Sequence, residues 1–130
     1  MITEVEEEAR ATRLAIKAAR RPDHPEGYDL EALDQGLVGA QGLGRRLQQR
    51  RALVGSPSIA DRRVLVLAVE ALLRAVLEVL PSLVEATSKP GASELAERVR
   101  WRALYASEAL HSGLATLYGD PTRLAGRTHS

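Results

Sequence analysis

"VLVLAVEALLRAVLEVLPSLVEA", residues 64–86, is the stretch on which the fold turns. Two apolar seams run through it side by side at helical spacing. One, starting just upstream, is Ile59, Val66, Val69, Leu73, Val76, Leu80 and Leu83; the other is Leu65, Ala68, Leu72, Ala75 and Val79. A helix that is apolar over so much of its circumference needs neighbours on two sides. Arg63, Glu70, Arg74, Glu78 and Glu85 leave it a narrow polar stripe, with charges spaced for pairing along the helix. Pro81 lacks a backbone donor and should bend this helix, and Leu83 keeps the phase beyond it, so a kink within one element over 58–87 is expected.

Working outward, the segment before it supplies a partner. Leu30, Leu33, Leu37, Ala40, Gly44, Leu47, Arg51 and Val54 recur at steps of three and four, which predicts a helix over 29–54 capped by Asp29. "GSPS" at 55–58 gives a stop and a restart, with Gly55 closing one helix and Ser56 and Pro57 opening the next. Further upstream, "PDHPEGY" at 22–28 is a loop, and residues 3–21 carry a thin seam of Val5, Ala9, Thr12, Ile16 and Ala19. Thr3 and Glu6 have the spacing of a capping box. Acids precede bases along this helix, which suits its macrodipole. Downstream, Ser93 opens a helix over 92–118 with the seam Ala96, Val99, Ala103, Ala106, Leu110, Gly113 and Leu117. Gly119 should close it, leaving 120–130 as a short turn and frayed tail. The expectation is one domain spanning 1–130, an all-α, antiparallel up-down four-helix bundle.

Composition narrows the function classes. The net charge is +1, so any claim for a polyanionic partner rests on local clusters. There is no cysteine, hence no disulfide, thiol nucleophile or thiolate metal site. The acidic start "MITEVEEEAR" is unlike a targeting segment, and no apolar run reaches the roughly 20 residues of a membrane span. A soluble cytoplasmic protein is expected, and the Arg, Ala and Leu bias fits a high-GC bacterial genome.

"DQGLVGAQGLGRR", residues 34–46, holds four glycines before two arginines. It lacks both the upstream strand and the spacing of a dinucleotide fingerprint, and no Gly-Lys-Ser/Thr follows as in a P-loop. Gly44 falls in the seam, where a neighbouring helix can approach, and Gly36 flanks it. Gly39 and Gly42 point away at about 100° per residue, where glycine costs roughly 1 kcal/mol against alanine. Either another helix covers that outward pair, from the first segment or from a second subunit, or the helix is locally broken and hinges there.

Three surfaces compete for function. Trp101, Leu104 and Tyr105, with Arg98 and Arg102 beside them, lie opposite the seam of the final helix. They form either an interface anchor or a bundle edge. Arg45, Arg46, Arg50, Arg51, Arg62 and Arg63 should meet at one bundle end, where they could bind phosphates or simply cap helices and meet solvent. The kink at Pro81 and the small residues Gly44, Ala106 and Gly113 could leave a cavity for a small molecule. His24, His111 and His129 are scattered without metal-ligand spacing, and His24 among Asp23, Glu26 and Asp29 reads as a solvated loop. No catalytic residues, cofactor or metal are assigned. The expectation is a small non-catalytic interaction protein with a protein partner or a second copy, contacted through Trp101, Leu104, Tyr105, Arg98, Gly39 and Gly42. Polyanion binding and small-molecule binding are the alternatives.

Overall fold

A computed structural model describes the backbone of residues 2–49 and 59–128 and the side chains of 3–49 and 59–118. Four helices account for the fold: α1 (Ile2–Ala18), α2 (Leu30–Leu47), α3 (Ile59–Ser88) and α4 (Glu94–Thr128). They pack around one core of aliphatic side chains, as an all-α four-helix bundle. Every expected seam residue of α4 from Ala96 to Leu117 is buried. Both seams of α3 are buried from Leu65 onward, apart from half-buried Leu80. Ile59 is the exception at 82% exposure, because it opens α3 at the bundle end, more than a turn before the first buried residue.

The boundaries correct several expectations. α1 starts at Ile2, so Thr3 lies inside the first turn and does not cap it, and Glu6 pairs with Arg10 instead. α1 stops at Ala18, not at 21, because the following loop claims the backbone. Arg21 N donates to Gly27 O at 2.8 Å and Asp29 N to Ala19 O at 2.7 Å, which places Arg20 opposite Tyr28 in an antiparallel bridge. Gly27, at φ +81°, makes that turn without the steric penalty a side chain would meet. The Arg21 guanidinium covers the carbonyls of Ala18 and Arg20 at 2.7 and 2.8 Å. Asp29 then caps α2 as expected, its carboxylate accepting from Ala32 N at 3.2 Å.

α2 ends at Leu47, well short of 54. The next position in its three-four rhythm is Arg51, which offers the core nothing to bury. Val54 and the punctuation at 55–58 lie outside the described residues. α3 passes through Pro81 as a single helix. Pro81 is exposed, so the Leu77 carbonyl that loses its partner lies on the solvent side, where water can replace the missing bond. Ser93 caps α4, accepting from Ala96 N at 3.0 Å. Gly119 does not close that helix. A closing glycine takes a left-handed conformation, whereas Gly119 remains helical and α4 runs on through 120–128 where a turn was expected.

Neighbour relations follow from individual contacts. Gly36 meets Ile16 and Gly39 meets Thr12, so α1 and α2 are antiparallel. Asp34 meets Arg102, Gly44 meets Ala109 and Gly113 meets Leu47, so α2 and α4 run parallel. Glu70 meets Tyr118, and the groove beyond brings Leu77 beside His111, so α3 and α4 are antiparallel. Successive helices therefore alternate direction. Around the bundle, however, the order is α1, α2, α4, α3, and the α2 and α3 axes face each other across the diagonal. The bundle is two antiparallel hairpins packed so that their cross-contacts, α2 with α4 and α1 with α3, are parallel.

Candidate functional site

The outer face of α4 carries the exposed aromatic group. Trp101 and Tyr105 are one helical turn apart, which brings their rings to 6.2 Å in a stacked arrangement. Trp101 is 49% exposed, Tyr105 52% and Leu104 37%, with Arg98 exposed alongside. The Arg100 guanidinium sits 5.0 Å from the indole centroid, a cation–π contact. Among the described residues its buried Nε makes no hydrogen bond. Arg102, expected beside the tryptophan, turns to the other flank and binds Asp34 on α2 at 3.2 Å. The indole thus has both an arginine and a tyrosine against it while Trp101 stays half exposed. Arg100 was not foreseen, since neighbouring arginines at 98, 100 and 102 differ only in which flank of the helix they occupy.

The glycines divide by neighbour. A Cβ at Gly44 would lie 2.5 Å from the Ala109 carbonyl carbon, and one at Gly113 would lie 2.9 Å from Leu47 Cβ and 3.0 Å from Gly44 O. These two glycines let α2 and α4 touch backbone to backbone. The space once expected to be a cavity near Gly44, Ala106 and Gly113 is therefore occupied by close packing. Gly36 faces Ile16 at 2.9 Å. Gly39 does not look outward from the bundle: its Cβ would sit 3.6 Å from Thr12 Cγ2, so α1 itself covers it. Gly42 meets nothing within 4 Å.

The four described arginines of the expected cluster, Arg45, Arg46, Arg62 and Arg63, are at one end of the bundle but on helices that are not adjacent. Arg45 and Arg46 end α2, whereas Arg62 and Arg63 begin α3, and these two helices are diagonal partners. The acidic first turns of α1 share that end, and Arg46 forms an ion pair with Glu8. Arg50 and Arg51 lie outside the described residues. A phosphate-binding surface here would be interrupted by carboxylates.

Two further features lie away from these expected sites. An open cleft of about 660 Å³ separates the end of α1 from α3, lined by Lys17, Arg20, Tyr28, Glu78 and Ser82 among others. Burial there raises the Tyr28 hydroxyl above its usual pKa, helped by Glu78 and opposed by Arg20. His24 Nδ1 lies 3.0 Å from Tyr28 O, which ties it to the loop. Among the described residues no three His, Cys, Asp or Glu gather as a metal site, and no helix is long and apolar enough to cross a membrane.

The second feature is on α3. Leu67 and Leu77 are 59% and 41% exposed, beside grooves of about 390 and 530 Å³ shared with Tyr118 and His111 of α4. The Tyr118 hydroxyl donates to Glu70 Oε2 at 2.8 Å. The ion pairs expected along the polar stripe are not formed: among the described residues, neither Glu70 nor Glu78 is within ion-pair distance of Arg74. No protein-family model, curated protein or solved structure matches the chain.

Proposed function

We propose that this chain is a small non-catalytic interaction protein whose partner is a protein surface docked on Trp101, Leu104, Tyr105 and Arg98 of α4. The observation that carries the reading is the stacked, half-exposed Trp101–Tyr105 pair. Trp, Tyr and Arg dominate interface hot spots, because a rigid aromatic anchor gains much contact area for little lost conformational freedom. Arg100 and Tyr105 restrict the indole before any partner arrives, which lowers the ordering cost of binding. Gly39 leaves the proposed surface because α1 covers it, and Gly42 remains as open helix surface.

Trp101 is the single tryptophan, so its fluorescence reports on this face alone. The expected result is red-shifted, readily quenched emission from the isolated chain, shifting to the blue when the natural partner is added. Trp101→Ala should keep the helical circular dichroism and unfolding midpoint of the wild type, yet lose the partner in native mass spectrometry of protein purified from its own host. Collapse of the fold in Trp101→Ala, or undiminished recovery of the partner, would show that Trp101 serves the bundle instead.

A further inference from the structure

α3 carries on its exposed side a row that repeats at alternating steps of four and three: Arg63, Leu67, Glu70, Arg74, Leu77, Pro81 and Val84. At 100° per residue these positions fall in one narrow arc, the spacing of a coiled-coil seam. All are exposed except half-buried Glu70. The row borders the two grooves that α3 shares with α4, with Tyr118 and His111 on the far side.

Its order is self-complementary. Around the point midway between Glu70 and Arg74, Leu67 mirrors Leu77 and Glu70 mirrors Arg74. If a second α3 runs antiparallel across this point, each leucine meets the opposite leucine and each glutamate meets an arginine, twice over. A parallel arrangement would set Glu70 on Glu70 and Arg74 on Arg74, which like-charge repulsion disfavours. A two-fold axis generates the antiparallel arrangement from identical subunits. Among the described residues Arg74 has no ion-pair partner, and the Tyr118 hydroxyl binds Glu70 through Oε2, one of its two carboxylate oxygens. The incoming Leu77 would enter the groove between Leu67 and Tyr118, and the incoming Leu67 the one between Leu77 and His111.

We infer that the α3 face is a self-association surface, where a second copy docks antiparallel by pairing Leu67 with Leu77 and Glu70 with Arg74. The inference does not rest on the Trp101 surface. Its test uses the purified chain alone, so the two can fail separately.

Sedimentation equilibrium measures the outcome. The wild type should dimerise. Glu70→Arg and Arg74→Glu should each weaken the dimer by about tenfold or more, since each places like charges together at two sites. The double variant Glu70→Arg/Arg74→Glu should dimerise again, and an equimolar mixture of the two single variants should form a heterodimer. Circular dichroism should show all of them folded, because the changes are on the outer face. A monomeric wild type at high micromolar concentration would overturn the inference. So would a dimer indifferent to either single reversal, or folded single variants that do not associate when mixed.

Discussion

The two parallel helix pairs of the bundle behave oppositely. Between α2 and α4, Gly44 and Gly113 remove the side chains that would keep the axes apart, and backbone meets backbone. Between α1 and α3, the facing residues near the loop include Ile16, Lys17, Arg20, Glu78 and Val79, and a cleft of about 660 Å³ opens. Both pairs run parallel and join a helix of 17–18 residues to one of 30–35, and the open pair is the more aliphatic of the two. What differs is the presence of Cβ atoms at the crossing, which sets how near two helices come and how completely they exclude water.

The sharpest way to break the closed side is Gly44→Ala. Its new methyl would overlap the Ala109 carbonyl, a backbone atom that cannot rotate away, so a loss of about 2 kcal/mol or more is expected despite alanine's better helix propensity. Urea denaturation measures this, and a variant as stable as the wild type would mean that the two backbones are not in contact. Gly113→Ala meets a side-chain carbon and a carbonyl at slightly greater distance and should cost about 1 kcal/mol in the same assay. Gly42→Ala, in the same helix as Gly44 but with open space at its Cβ position, should instead stabilise by roughly 0.5–1 kcal/mol.

The open side yields the smallest effect, at alkaline pH. Because burial raises the Tyr28 hydroxyl, the unfolded chain gives up this proton near pH 10 while the folded chain still holds it. Stability should be complete below that value and fall as pH rises through the folded-state pKa. Tyr28→Phe should flatten the part of that decline due to Tyr28, as read from denaturation midpoints on either side of pH 10. An unchanged slope would place Tyr28 in bulk-like solvent.

The rhythm of apolar residues made the helices and their inner faces legible, and α4 is the clearest case, with each seam residue from Ala96 to Leu117 buried. Periodicity reports the angle at which a side chain leaves its own helix. It does not report what lies at that angle. The angle of Gly39 thus leaves α1 and a second subunit as equal candidates to cover it, and it is α1 that does; the diagonal placement of α2 and α3 leaves no trace in either seam. The end of α1 escaped for another reason, since the bridge between Arg20 and Tyr28 is made by backbone groups that every sequence possesses. On the surface, the aromatic group at Trp101 could be read from spacing, but the cation over its ring could not. Chain order suggests that Arg45 and Arg46 adjoin Arg62 and Arg63, whereas the helices that carry them, α2 and α3, are diagonal.

The hydrogen bonds that tie α2 to α4 join residues 61 and 68 apart in sequence, Gln48 with Ala109 and Asp34 with Arg102. On a ribosome, chain is released from the N-terminal end, so α1, α2 and α3 emerge ahead of α4. Throughout that interval the glycine-lined side of α2 lacks the partner it has in the folded chain. The nascent protein must survive with its most closely fitting surface uncovered, and translation of α4 completes the shelter.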